Sequence, residues 1–78
     1  DAENTRIGKR EQSQRYERIF RDYPYDYLAA YKAAELNYDM GRYSTALKLL
    51  EASLRIYPSY IPASRLRTKV QGAVNRNR

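Results

Sequence analysis

Neither cysteine nor histidine nor tryptophan occurs anywhere in the 78 residues. Disulfide staples, Cys/His zinc sites, a Cys nucleophile and a Ser-His-Asp triad are therefore all excluded within this chain. Glycine and proline number only three each, too few for a turn-rich β fold. The longest strictly apolar run is three residues, far short of the roughly 20 needed to span a bilayer as a helix. No hydrophobic signal segment opens the sequence. It starts at Asp1 without Met, as a processed product or an excised fragment would, which leaves the compartment open. A chain of this length makes at most one small domain, because it buries only about 60% of its unfolded surface.

Acidic residues are also missing from one end. Residues 1–22 carry six basic and five acidic groups, residues 23–60 carry four of each, and residues 61–78 carry five basic and none acidic. The net charge of +6 thus sits almost wholly at the C-terminal end. Such an end attracts nucleic acid, an anionic surface or an acidic peptide, and it also serves solubility. Nine tyrosines stand against a single phenylalanine, and the amphipathic phenol ring suits half-buried surfaces and binding faces.

Apolar residues recur at spacings of three and four rather than two, which predicts an all-α chain. A first helix is expected near Gln12–Asp22, ended by Tyr23-Pro24, after a polar, frayed lead over residues 1–10. A second runs from Asp26, as N-cap, to Met40, with Gly41 at the C′ position where a left-handed backbone turns the chain back. A third opens at Ser44 or the residue before it and stops at Ile56, ahead of Pro58. The fourth starts around Pro62, which is suited to a first helical turn, and gives way to a basic disordered tail over 75–78. The helical domain is therefore placed at 11–74.

The chain repeats itself. Tyr23-Pro24 recurs as Tyr57-Pro58, 34 residues on, and the offset relates Tyr16 to Leu50, Phe20 to Leu54, Tyr27 to Ile61, Ala29 to Ala63 and Leu36 to Val70. Ala30, Ala33 and Ala34 make a small-residue strip that lets the third helix approach closely with Ala46, Leu47, Leu50 and Leu54. Tyr16, Ile19, Phe20 and Tyr23 before this hairpin, and Ile61, Leu66, Val70 and Val74 after it, are expected to cover its remaining apolar face.

A two-helix period of this length, with Ala30, Ala33, Ala34, Gly41, Tyr43, Ala46, Leu50, Leu54 and Pro58 in order, resembles the tetratricopeptide repeat family. One complete repeat is read at 27–60, with partial repeats on either side. The sequence departs from the family at Ala30 and Asn37, where aromatics are usual, and at Ser53, where Ala is usual. The resemblance implies an antiparallel array of about four helices that acts as a non-enzymatic protein-interaction or scaffold module needing no cofactor. First helices of such arrays line a concave groove, which here assigns peptide or protein binding to Leu28, Tyr31, Glu35 and Tyr38, and to Arg65 and Lys69 from the next helix. Arg65 and Lys69, one turn apart, could clamp an acidic side chain or a C-terminal carboxylate. Some family members bind chaperone tails with such basic pairs, although Glu35 stands where that site has a neutral Asn.

Two alternatives stand beside peptide binding. The first is nucleic-acid or anionic-surface binding through Arg65, Arg67, Lys69, Arg76 and Arg78 with nearby tyrosines. Against it, Arg65 and Arg67 diverge by about 200° around a helix. The second is self-assembly into a homo-oligomer through the exposed ends of the array. Catalysis finds only Glu35 and Asp39 one turn apart, without His, a phosphate loop or metal-ligand spacing. Gly8-Lys9 lacks the upstream glycine and strand of a phosphate-binding loop.

Overall fold

The computed structural model describes the backbone of residues 2–76 and the side chains of residues 8–76. Four helices follow one another: α1 (Ala2–Asp22), α2 (Tyr27–Asp39), α3 (Tyr43–Ile56) and α4 (Ile61–Arg76). The fold is all-α, and among the described residues no helix is long and apolar enough to cross a membrane. Each helix packs on the next in sequence and α2 also touches α4, while α1 packs on neither α3 nor α4. The molecule measures 35 × 34 × 17 Å. Its thin dimension is less than twice the 10–12 Å diameter of a helix with side chains, so the helices form a flat array rather than a closed bundle.

The helix ends follow from local chemistry. Asp26 Oδ1 accepts from the Ala29 N–H at 3.0 Å and caps α2, as the sequence predicts. At the other end the Gly41 N–H bonds Tyr38 O at 3.0 Å and the Arg42 N–H bonds Asn37 O at 2.8 Å. This nested pair closes a helix when the residue between adopts a left-handed backbone, and Gly41 has φ +80°. α3 opens at Tyr43 with no side-chain cap, and Pro62 occupies the first turn of α4.

α1 begins at Ala2, so helical backbone also covers the stretch expected to be a frayed lead. Good helix formers such as Glu3, Arg6, Lys9 and Arg10 occupy that stretch, and Lys9 Nζ lies 3.6 Å from Asp39 Oδ2 on α2. At the far end α4 includes Asn75 and Arg76; the other two residues of the expected tail, 77 and 78, lie outside the described residues.

The 34-residue repeat holds in the backbone. α1 ends at Asp22 and α3 at Ile56, α2 begins at Tyr27 and α4 at Ile61, so both pairs of boundaries are 34 residues apart. Three turn hydrogen bonds recur at the same offset: Tyr23 N to Ile19 O and Tyr57 N to Ser53 O, Asp26 N to Tyr23 O and Tyr60 N to Tyr57 O, Ala30 N to Asp26 O and Ser64 N to Tyr60 O. The two loops therefore share these three hydrogen bonds, while a further one, Tyr27 N to Tyr25 O, is found in the first alone.

The core is small and built on alanine. Ala34, Ala46, Leu50, Ala63 and Val70 are fully buried, and Leu47, Leu49, Leu54, Leu66 and Val74 pack around them with Tyr31, Tyr38, Tyr43 and Tyr60. Three polar side chains are buried with them. Ser13 Oγ donates to Arg10 O at 3.1 Å, and Ser53 Oγ donates to Tyr27 O at 3.0 Å, tying α3 to the start of α2. Asn37 Nδ2 donates to Ala33 O at 2.7 Å and to Glu17 Oε2 of α1 at 3.1 Å. Each of these bonds gives a buried side-chain donor the partner that burial requires.

Candidate functional site

The residues singled out from sequence fall mostly on one surface. A groove of about 330 Å³ between α2 and α4 is lined by Tyr31, Glu35, Ile61, Pro62, Arg65, Leu66 and Lys69. It thus joins four of the six expected residues. The 34-residue offset is what places them together, because α2 and α4 hold equivalent positions in the array and their side chains converge on the space between.

Tyr38 borders this groove rather than lining it, with Lys69 Nζ 5.9 Å from its ring centroid. Its ring packs on Tyr43 at 5.6 Å across the Gly41 turn. Leu28 is 45% exposed and is not among the lining residues. It lies one position past the first turn's Tyr27, where the helix surface has already rotated away by about 100°.

Tyr31 is the aromatic wall of the groove, and other tyrosines back it. Tyr31 meets Tyr60 edge-on at 5.3 Å, Tyr27 meets Tyr57 at 4.9 Å and Tyr60 at 5.0 Å, and Tyr57 stacks on Tyr60 at 6.0 Å. Pairs of this geometry contribute about 0.5–1.5 kcal/mol beyond area burial. The four rings knit the start of α2 to the α3–α4 loop, so this wall is preformed.

Charges around the groove divide into occupied and free. Glu35 accepts from Tyr31 Oη at 3.4 Å and lies 3.9 Å from Lys32 Nζ. Burial, then the Glu35 carboxylate and Tyr60, hold the Tyr31 phenol above its ordinary 10.0, so Tyr31 stays a neutral hydrogen-bond donor throughout the physiological range. Among the described residues Arg65 and Lys69 form no ion pair. Both are exposed on one face of α4. The groove therefore offers apolar area, a phenol, two cations that form no ion pair and one carboxylate, Glu35, that Lys32 and Tyr31 engage.

A second depression, about 480 Å³, lies between α1 and Leu49 of α3, lined also by Gln14, Glu17, Arg18 and Arg21. Its Glu17 is the partner of the buried Asn37 amide, while Asn37 Oδ1 has no partner. Sequence reasoning did not single out this depression, since none of its residues forms a motif. The chain matches no protein-family model, no curated protein and no solved structure.

Proposed function

We propose that this protein is a non-enzymatic interaction module of the tetratricopeptide type, and that the groove between α2 and α4 binds an acidic segment of a protein partner. The observation that carries this reading is the pairing of Tyr31, held edge-on by Tyr60 behind it, with the unpaired cations Arg65 and Lys69 in one groove. Such a surface takes an extended segment by burying one apolar side chain against Ile61, Pro62 and Leu66 while a carboxylate meets the two cations. A guanidinium fork binds a carboxylate bidentately and an ammonium adds a point charge beside it. The family assignment rests on the 34-residue recurrence of sequence, helix boundaries and turn hydrogen bonds.

The non-enzymatic reading is supported by the state of the one carboxylate pair on α2. Glu35 is engaged by Lys32 and Tyr31, and Asp39 by Lys9, so both act as surface charges rather than as a poised acid and base. Arg67 is only half exposed and its Nε is buried, so it does not extend the Arg65 and Lys69 row into a basic stripe for a nucleic-acid backbone.

Titration calorimetry with a ten-residue peptide of alternating Glu and Leu, ending in a free carboxylate, tests the proposal. Saturable one-to-one binding is expected, weakened by about tenfold in Arg65→Ala and again in Lys69→Ala, where tenfold corresponds to about 1.4 kcal/mol. Absence of binding, or equal binding by the double variant, would overturn it. Tighter binding of a single-stranded oligonucleotide, with a steep fall on adding salt, would favour the nucleic-acid alternative instead.

A further inference from the structure

The repeat relates each helix to one whose surroundings are known, and this exposes a difference between the two ends of the array. α3 presents a stripe of Ala46, Leu50, Ser53 and Tyr57. The first three are 0% exposed, and α2 covers the stripe: Ser53 bonds the Tyr27 carbonyl and Tyr57 packs on the Tyr27 ring. The equivalent stripe on α1, 34 residues earlier, is Gln12, Tyr16, Ile19 and Tyr23. Here Gln12 is exposed and Tyr16 half-buried, Ile19 is 38% exposed and Tyr23 56%. Among the described residues α1 packs only on α2, which holds against α1 the place that α4 holds against α3, so the place that α2 holds against α3 has no counterpart on α1.

The opposite end is closed. The fully buried α2 positions Ala30, Ala33, Ala34 and Asn37 correspond in α4 to Ser64, Arg67, Thr68 and Gln71, all of them half-buried or exposed. A polar outer face of this kind ends a stacked array and keeps its terminal helix soluble.

We propose that the outward face of α1, centred on Tyr16, Ile19 and Tyr23, docks an amphipathic helix from a partner segment that presents small residues at the spacing of Ala30, Ala33 and Ala34 and runs antiparallel to α1 as α2 runs to α3. The occupant's chemistry follows from the covered copy of the same face, where Ala46, Leu50 and Ser53 of α3 pack with the alanines of α2; the larger Tyr16 and Ile19 at the equivalent places of α1 call for an occupant at least as small. A second copy of this chain does not supply that strip. Its own alanines are at 0% exposure in the core, and their counterparts on α4 are polar. This surface is separate from the α2–α4 groove, and its test does not depend on that site.

The absence of native cysteine gives a direct assay. Ile19→Cys in the full chain places a single thiol on the stripe, and Gln12→Cys repeats the measurement at a position whose side chain already lies in water. A copy of residues 26–42 is then appended ahead of Asp1 through about 15 Gly/Ser residues, which reach roughly 20 Å and present the added helix at millimolar effective concentration. Maleimide labelling at both positions is expected to slow by about fivefold or more with the appended copy, and to recover when that copy carries Ala30→Glu and Ala33→Glu. Unchanged labelling, or equal slowing by the glutamate-bearing copy, would overturn the proposal. So would labelling of the unextended chain that slows as its own concentration rises, because the face would then be taken by a second copy.

Discussion

The α1–α2 half and the α3–α4 half share three loop hydrogen bonds at the 34-residue offset, yet their outer edges are packed differently from their junction. At the junction α2 contributes alanines and α3 contributes Ala46 and Leu50, all at 0% exposure. At the outer edges the same backbone positions hold Gln12 and Tyr16 on one side and Ser64 and Thr68 on the other, in contact with water to differing degrees. The lesson is that the repeat is a property of the backbone and its turns, whereas side chains decide which copy is interior and which is terminal.

Equivalent substitutions should therefore have unequal effects. Leu50→Ala removes a fully buried side chain from the centre of the core and is expected to lose about 2–5 kcal/mol. That is a large share of what so small a domain has, so the urea midpoint should collapse toward zero denaturant. Its counterpart Tyr16→Ala should cost less than half as much. Equal losses would mean that α1 is as fully packed as α3. Next in size is overpacking: Ala34→Leu should destabilise by about 1–3 kcal/mol, while Thr68→Leu, at the equivalent exposed site, should stay within about 0.5 kcal/mol. Thermal melts of the two variants compare them directly.

The two loops differ in one cap, since Asp26 bonds the Ala29 N–H and its counterpart is Tyr60. Asp26→Ala should cost about 1 kcal/mol, read as a lower melting midpoint and faster amide exchange in the first turn of α2. The smallest effect is on pH. The Tyr31 phenol is held above 10.0, first by burial and then by Glu35, so the folded state keeps this proton more tightly than the unfolded state. Its contribution is fully present below about pH 10 and is lost as pH rises through the higher folded value. Wild type should therefore lose stability above pH 10 by slightly more than Tyr31→Phe does, as denaturant midpoints at pH 8 and pH 11 would show.

Much of this architecture can be read from residue order. Tyr-Pro twice at a fixed offset, Asp26 before an alanine-rich stretch and Gly41 after it are local punctuation, and each acts through its own backbone, so α2 and α3 fall where the sequence puts them. Four of the six groove residues converge for the same reason: the offset makes α2 and α4 equivalent. The rest depended on long-range contacts. Residues 1–10 hold only Ala2 and Ile7 as apolar side chains, so no helical periodicity marks the start of α1. Leu28 has the composition of a binding residue but the angular position of a neighbour. Ser13, Asn37 and Ser53 read as surface or as departures from a repeat until their hydrogen-bond partners, Arg10 O, Glu17 and Tyr27 O, are in place. The four-tyrosine cluster needed the start of α2 and the α3–α4 loop to meet in space.

The central claim is that the groove between α2 and α4 receives an acidic segment, and amide chemical-shift mapping tests it most directly. With the Glu/Leu peptide added to the labelled chain, the account predicts saturable shifts confined to Tyr31, Glu35, Ile61, Arg65, Leu66 and Lys69 and their sequence neighbours. Saturable shifts centred instead on Gln14, Arg18 and Arg21 of α1, or none at all, would contradict it.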